Sequence, residues 1–295
     1  MQRLLLWLSE SPLRSGWAVA ALALTRVLDI FGAALLAMIS MRKGLWAGVQ
    51  VALPALLLIV GFAVITGRLE LIGQVAALWL PLLLLGEILR RTGSLPLAMQ
   101  ALVAMVGAAG AGWLLMADAP LEAMRQLVED VVLPTLAQMR DGRELTAAEV
   151  ADMARVMPAM LAASATLSIA LALLLARFWQ AVAWNPGGFG QDFRAFRMGR
   201  PYAMLAGLAL GVSAYWPDAF ANLVGLVMAV PLLLQGFALL HGAVKLLKLN
   251  VAVLWLVYLL SLPLTGLVVL VMVTIGALDN WTDLRTRLAS RRGGE

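Results

Sequence analysis

The sequence predicts an all-α protein, a polytopic transmembrane helical bundle, on three observations. Hydrophobic residues make up 62% of the 295 residues and charged residues only 13%, whereas soluble domains carry roughly 25% charged residues. Long apolar runs recur along the chain, and the mean hydropathy is +0.91. None of these runs alternates polar and apolar residues with the period of two that membrane strands need. The bilayer is therefore the expected solvent for most of the chain.

Eight apolar helical segments follow a short interfacial lead-in over residues 1–16. They cover residues 17–39, 45–66, 71–89, 96–116, 159–180, 202–216, 219–241 and 251–277. Basic or turn-forming residues end most of these segments, which is typical of membrane spans. The segment over 202–216 would be only about 22 Å long at the rise of an α-helix, against a hydrocarbon core of roughly 30 Å.

One sizeable polar region, residues 118–157, interrupts the apolar pattern and holds 8 of the 17 acidic residues. Its apolar side chains recur at spacings of three and four, which indicates an amphipathic helix. Thr146 and Glu149 match a capping box at the start of a second short helix that runs through Met157. We expect a single membrane domain over 1–295 that contains residues 118–157 as an amphipathic extramembrane helical insertion.

The distribution of basic residues indicates which segments cross the membrane fully. If all eight cross, eleven basic residues lie on one side and ten on the other, although cytoplasmic loops should carry a clear excess. The first segment contains Arg26 and Asp29, and the last contains Pro263 in its middle. If both are broken and return, the division becomes sixteen cytoplasmic against five. One prediction is therefore six full spans plus two broken segments; the alternative is eight plain crossings.

Arg26 and Asp29 form a predicted intramembrane charge pair. They are three residues apart, so their side chains can pair on one helical face. Ionised groups at membrane depth are costly and often mark a functional site. The alternative is a self-neutralising pair that only holds the helix against its neighbours.

The stretch from Arg177 to Arg200 carries the densest group of aromatic and basic side chains. Three phenylalanines and three arginines are predicted to lie on two faces of one interfacial helix: Phe189, Phe193, Phe196, Arg194, Arg197 and Arg200. Candidate ligands of an anionic headgroup or a phosphorylated solute are Arg177, Trp184, Asn185, Arg194 and Arg197. The alternative is a membrane anchor that sets the topology.

The residue types present exclude several kinds of site. The chain has no cysteine and one histidine, which excludes thiolate metal sites and paired-histidine zinc motifs. It contains no phosphate-binding loop, no HExxH, no G-x-S-x-G and no dinucleotide fingerprint. We therefore expect no enzyme activity, no metal and no cofactor. The net charge is +5, but the arginines lie at the ends of apolar segments, so no nucleic-acid partner is expected.

Two of the apolar segments share a short similar sequence, which we call the echo. Pro81-Leu-Leu-Leu-Leu-Gly86 matches Pro231-Leu-Leu-Leu-Gln-Gly236. It indicates either a relic of duplication or the abundance of leucine in apolar helices.

The sequence RFWQAVAWNPGGFGQDFRAFRM, with SMRKG after the first segment and LDNWTDLRTRL near the end, resembles the YybS-like family of predicted bacterial membrane proteins over most of the chain. The core from Asn185 to Arg194, NPGGFG-x-x-FR, is the most specific part, and it resembles the proteobacterial branch. The resemblance implies a multi-pass protein of the bacterial inner membrane. The family has no assigned activity and is distantly similar to the six-span substrate-binding subunits of energy-coupling-factor vitamin transporters. The insertion over 118–157 departs from that pattern.

Two functions follow as expectations. The first is a solute- or lipid-handling membrane protein similar to a transporter's substrate-binding subunit, with a small molecule or an anionic lipid as ligand. The second is a non-catalytic scaffold or partner subunit of a cell-envelope complex, which would dock a membrane protein partner through residues 118–157.

Overall fold

The computed structural model describes residues 1–25, 28–116, 119–135 and 146–282. Within these ranges the regular structure is helical, with no strand. The helices are α1 (Gln2–Ser9), α2 (Pro12–Leu24), α3 (Asp29–Lys43), α4 (Leu45–Thr66), α5 (Glu70–Thr92), α6 (Leu95–Met116), α7 (Pro120–Leu127), α8 (Ala147–Trp184), α9 (Gly188–Ala195), α10 (Arg200–Tyr215), α11 (Ala219–Leu246), α12 (Ala252–Leu260) and α13 (Thr265–Thr282). A π-helical turn, Val128–Val132, continues α7. The predicted all-α fold is confirmed.

Six helices of the described chain are long and apolar enough to cross a membrane, and the protein is a multi-pass membrane protein. They are α4, α5, α6, α8, α11 and α13. The number agrees with the predicted six spans, but the set differs. The segment over 202–216 forms α10, which has only 16 residues, whereas the second half of the last segment forms α13, which has 18.

The first apolar segment is broken, as predicted, and its halves α2 and α3 fold back on each other. A Cβ atom at Gly32 of α3 would lie 3.0 Å from the carbonyl oxygen of Val19 in α2. At the open end of this hairpin, Lys43 Nζ donates a hydrogen bond to the carbonyl oxygen of Ser9. The segment therefore enters and returns at the same end of the surrounding helices.

The last apolar segment is broken as well. Helix α12 ends at Leu260, and α13 begins at Thr265 after turn residues that include Pro263. Proline has no N–H to donate and clashes with the preceding turn of a helix. The break therefore falls at the proline from which it was predicted.

The insertion over 118–157 contains α7, the π-helical turn and the start of α8, and residues 118 and 136–145 lie outside the described ranges. The predicted capping box is present: Thr146 N donates to Glu149 Oε2 at 2.8 Å, and Glu149 N donates to Thr146 Oγ1 at 3.3 Å. The helix that it begins does not end at Met157, because α8 continues through Pro158 to Trp184. The second amphipathic helix and the following span are thus one helix; proline is tolerated inside membrane helices, where neighbouring groups satisfy the freed backbone.

Contacts within the chain divide it into two compact units. Unit 1 comprises Met1–Leu102 and Leu167–Phe196, and unit 2 comprises Val103–Thr166 and Arg197–Glu295. In unit 1, α3 packs against α2, α4 and α5; in unit 2, α11 packs against α10 and α13. The sequence did not lead us to expect this division, and the single domain over 1–295 stays a prediction.

The two copies of the echo pack alike, each within its own unit. A Cβ atom at Gly86 of α5 would lie 3.0 Å from the carbonyl oxygen of Ala37 in α3. A Cβ atom at Gly236 of α11 would collide with the carbonyl oxygen of Met272 in α13. The shared glycine therefore admits the backbone of a second helix in each copy, which is the usual role of small residues between membrane helices.

Candidate anion-binding cleft

A polar cleft of about 290 Å³ lies among α3, α5, α8 and α9 of unit 1. Its lining residues are Met41, Leu89, Arg90, Gly93, Arg177, Gln180 and Asp192. Four of these seven side chains are charged or carry an amide. Polar groups are scarce in this chain, and in a membrane protein such a group of side chains is a candidate functional site.

Glu87, one turn before Arg90 on α5, fixes the arginine at the edge of the cleft. Oε1 of Glu87 accepts hydrogen bonds from Arg90 Nη2 at 2.6 Å and from Arg91 Nε at 2.5 Å. Oε2 accepts from Arg90 Nε at 2.8 Å and from Leu45 N at 3.0 Å. The carboxylate is thus saturated with donors, and its two bonds to Arg90 set the plane of that guanidinium group.

Arg177, a predicted site residue, lines the cleft from α8. Its Nη2 atom lies 2.5 Å from Oδ2 of Asp192 on α9, and its side chain is 16% exposed. A guanidinium group has five N–H donors, and this ion pair occupies one of them. Arg177 is therefore a fixed donor in the cleft.

The sequence from Asn185 to Gly190 makes the turn that places α9 and Asp192 beside the cleft. Gly187 has a φ of +87°, which favours glycine. A Cβ atom at Gly188 would collide with the Asn185 amide, and one at Gly190 would lie 2.9 Å from Arg194 Nη1. Asn185 and Arg194, both predicted site residues, fold back over this turn and are not among the residues that line the cleft.

Trp184, a further predicted site residue, ends α8 next to this turn. The guanidinium carbon of Arg42 lies 5.2 Å from the centre of its ring system, which is a cation–π contact. Trp184 therefore joins the end of α8 to the end of α3 and does not line the cleft.

Arg197 belongs to unit 2 and has a different environment. Its Nε atom lies 3.2 Å from Oδ2 of Asp279, and its Nη2 atom donates to the carbonyl oxygen of the same residue. Gln235 Nε2 donates to Asp279 Oδ2 at 3.3 Å, and Gln235 Oε1 accepts from Met198 N at 2.9 Å. Asp279 and Gln235 are fully buried. Arg197 thus neutralises a buried carboxylate. Together with the Met198 bond to Gln235, it holds the loop between α9 and α10 against α11 and α13.

The prediction of one amphipathic helix with three arginines on one face is wrong. Helix α9 ends at Ala195, and Phe196 has extended backbone angles. Gly199, with a φ of +88°, precedes α10. Phe189 and Phe193 remain stacked at 5.8 Å, but Phe196 is 2% exposed. The helix stops because Phe196 turns into the protein and Arg197 is directed to Asp279.

Arg26 of the predicted charge pair lies outside the described residues. Asp29 begins α3 and is half-buried. The charge pair itself stays a prediction.

Sequence reasoning missed Gln180, Asp192 and the group of Glu87, Arg90 and Arg91 as parts of the site. The spacing of Glu87 to Arg90 and Arg91, three and four residues, could have revealed the fixed guanidinium group. No local signal pairs Arg177 with Asp192, which lies beyond a turn on another helix.

Known proteins provide no further assignment of the cleft. The chain matches no family model, no curated protein and no solved structure.

Proposed function

We propose that this protein is a membrane-embedded binding protein, similar to a transporter's substrate-binding subunit, whose polar cleft holds a small ligand with a phosphate or carboxylate group. One observation carries the proposal: Arg90 and Arg177 line the same cleft, and each is oriented by an internal carboxylate. The family resemblance adds the bacterial inner membrane as the proposed location.

The internal carboxylates orient the arginines without exhausting their donors. Glu87 takes two of the five N–H groups of Arg90, and Asp192 takes one of those of Arg177. The remaining donors and the Gln180 amide can bind an anion without first fixing flexible side chains. Charged hydrogen bonds of this kind are roughly twice as strong as neutral ones.

The charges around the cleft favour an anion as well. The lining residues and the groups ion-paired with them include three basic side chains, Arg90, Arg91 and Arg177, and two acidic ones, Glu87 and Asp192. Their net charge is 3 − 2 = +1. A cleft with walls of low dielectric constant concentrates such a field and attracts anions. The same excess marks the cytoplasmic side of a membrane protein.

Native mass spectrometry of the detergent-solubilised full chain tests the proposal. We expect an adduct that Arg177→Gln loses, because the variant removes a charged donor while keeping a polar side chain of similar reach. Arg68→Gln is the matched control, since Arg68 forms an exposed ion pair with Glu70 at 3.3 Å on the turn between α4 and α5. This control should retain the adduct.

Two further arms separate the possible sources of the anion. Thermal shifts are measured with inorganic phosphate and, separately, with glycerol phosphate as a soluble headgroup analogue. A shift with phosphate alone indicates a free solute, and a larger shift with glycerol phosphate indicates a headgroup. An Arg177→Gln variant that keeps both the adduct and the shifts contradicts the proposed function.

A scaffold role is the second candidate, and exposed apolar side chains on the insertion favour it. Leu121 on α7 is 43% exposed and Val131 on the π-helical turn is 55% exposed. The double variant Leu121→Gln with Val131→Gln should then abolish recovery of a stoichiometric crosslinked partner. Unchanged recovery with a folded variant would exclude this surface as the dock.

A further inference from the structure

Unit 1 contains a second cavity, which differs from the polar cleft because its lining residues are all apolar or aromatic. It measures about 390 Å³ and lies among α1, α2, α3 and α8. Leu5 and Leu8 line it from α1, Leu22 from α2, Phe31 and Leu35 from α3, and Trp179 from α8. We name this cavity the apolar groove.

The groove is partly open, but its walls come from four helices, so it is more than one helical face that touches lipid. Phe31 and Trp179 stack with ring centres 6.2 Å apart and so join α3 to α8. Leu5 and Leu35 are buried in its walls. From Leu28 to Leu35 the wall follows two turns of α3, about 10 Å at the helical rise. The groove is therefore apolar, partly open and about 10 Å long at the helical rise.

We propose that the apolar groove binds one acyl chain of an anionic phospholipid. A methylene group occupies roughly the volume of a water molecule, about 30 Å³, so the groove has room for on the order of a dozen methylenes. A partner helix fits poorly, because an α-helix with its side chains is about 10–12 Å across and the volume would hold only about one turn. The site is separate from the polar cleft and does not depend on the proposed function.

The basic residues on the helices that line the groove indicate the class of headgroup, although none of them is a lining residue itself. Arg3 lies on α1, which lines the groove, and Arg14 stacks 4.7 Å above the ring of Trp7. Lys43 donates to the Ser9 carbonyl oxygen at the end of α1. Glu10, 3.6 Å from Arg14, is the acidic residue that offsets these three basic ones in the described segments around α1. Basic groups beside an apolar site complement a phosphate at the membrane surface and an acyl chain below it.

Photocrosslinking tests the proposal on the full chain. The protein is placed in nanodiscs of a choline phospholipid doped with a phosphatidylglycerol that carries a diazirine near the end of one acyl chain. We expect the label on peptides that contain Leu28 to Leu35 and Trp179, and we expect it to saturate near one label per protein. An excess of unlabelled phosphatidylglycerol should reduce the labelling of these peptides, and this measurement needs no variant.

A variant that fills the groove with a larger side chain, compared with a matched control variant, makes the test specific to the groove. Ala18 lines the groove from α2. Because phenylalanine would fill part of the groove, Ala18→Phe should lower the labelling of the groove by about tenfold or more, which corresponds to a tenfold loss of affinity. Leu57→Phe enlarges a side chain of α4 that is 73% exposed and should leave the label unchanged. Label that never saturates, or that spreads equally over α4 and is unchanged in Ala18→Phe, overturns the acyl-chain site.

The headgroup is tested separately. A choline phospholipid with the same diazirine chain should label the groove several-fold less than the glycerol lipid, and the double variant Arg3→Gln with Arg14→Gln should remove that difference. Equal labelling of the unaltered protein by both probes overturns the assignment to an anionic lipid. Thermal shifts with inorganic phosphate, which report on the polar cleft, should not change in Ala18→Phe.

Discussion

Asp279 and Arg197 form an ion pair whose two members differ sharply in exposure. The Asp279 carboxylate is fully buried, whereas the Arg197 side chain is 33% exposed, and Oδ2 lies 3.2 Å from Nε. Burying a charge is strongly unfavourable unless a partner neutralises it. The pair is therefore asymmetric: loss of the arginine leaves a charge in the protein, whereas loss of the carboxylate leaves a charge that can reach solvent.

We expect Arg197→Gln to lower the free energy of unfolding by about 3–5 kcal/mol, the usual cost of an unpaired buried charge. Asp279→Asn should cost less, and the double variant should recover part of the loss from Arg197→Gln. The measurement is a double-mutant cycle by titration with dodecyl sulfate in mixed micelles.

The matched control for this cycle is Arg155 with Asp152, an exposed pair in the same unit at 2.8 Å. Removing either partner should change the free energy of unfolding by no more than about 1 kcal/mol. If Arg197→Gln behaves like Arg155→Gln, the buried pair does not hold its loop to α11 and α13.

Two glycine-to-alanine substitutions in unit 2 should have opposite signs. Gly236→Ala places a methyl group against the backbone of Met272 and should lower the free energy of unfolding by about 1–3 kcal/mol through overpacking. Gly207→Ala meets no atom within 4 Å and should raise it by up to about 1 kcal/mol, the helix propensity gained. The same titration measures both, and a loss in both variants would argue against a specific crossing at Gly236.

The capping box at the start of α8 predicts a local effect. Thr146→Ala removes the hydroxyl that accepts from Glu149 N at 3.3 Å and should cost about 0.5–2 kcal/mol. Because the groups are exposed and terminal, the loss should appear as faster hydrogen exchange in the first turn of α8. Thr274→Ala is the control, since that hydroxyl bonds within its own helix to Leu270; equal effects at both positions would remove the special role of the cap.

Features that depend on neighbouring residues could be predicted from the sequence. The capping box of Thr146 and Glu149 and the break at Pro263 both depend on a few adjacent residues, and the structure has both. The end of a helix at Met157 was predicted from the same kind of local signal and was wrong. Pro158 alone did not indicate whether neighbouring helices would let α8 continue.

Features that depend on distant residues could not be predicted. Arg177 was a candidate from its aromatic and basic neighbours, but Arg90 reaches the same cleft from α5, far away in the sequence. Arg197 lies three residues after Arg194 but belongs to unit 2, where it pairs with Asp279. The apolar pattern of the segments gives length and burial, but it carries no information on which polar ends meet.

The α2–α3 hairpin predicts the membrane topology of the first apolar segment. Because Lys43 contacts Ser9 at its open end, we expect reporter fusions at residue 2 and after Gly44 to report the same side of the membrane. A fusion at Arg68, on the turn after the 22-residue helix α4, should report the opposite side, because that helix is long enough to cross the hydrocarbon core. Paired phosphatase and fluorescent-protein fusions report whether each fusion point lies on the non-cytoplasmic or the cytoplasmic side. Opposite sides at residue 2 and Gly44 would mean that the first segment crosses the bilayer despite its break.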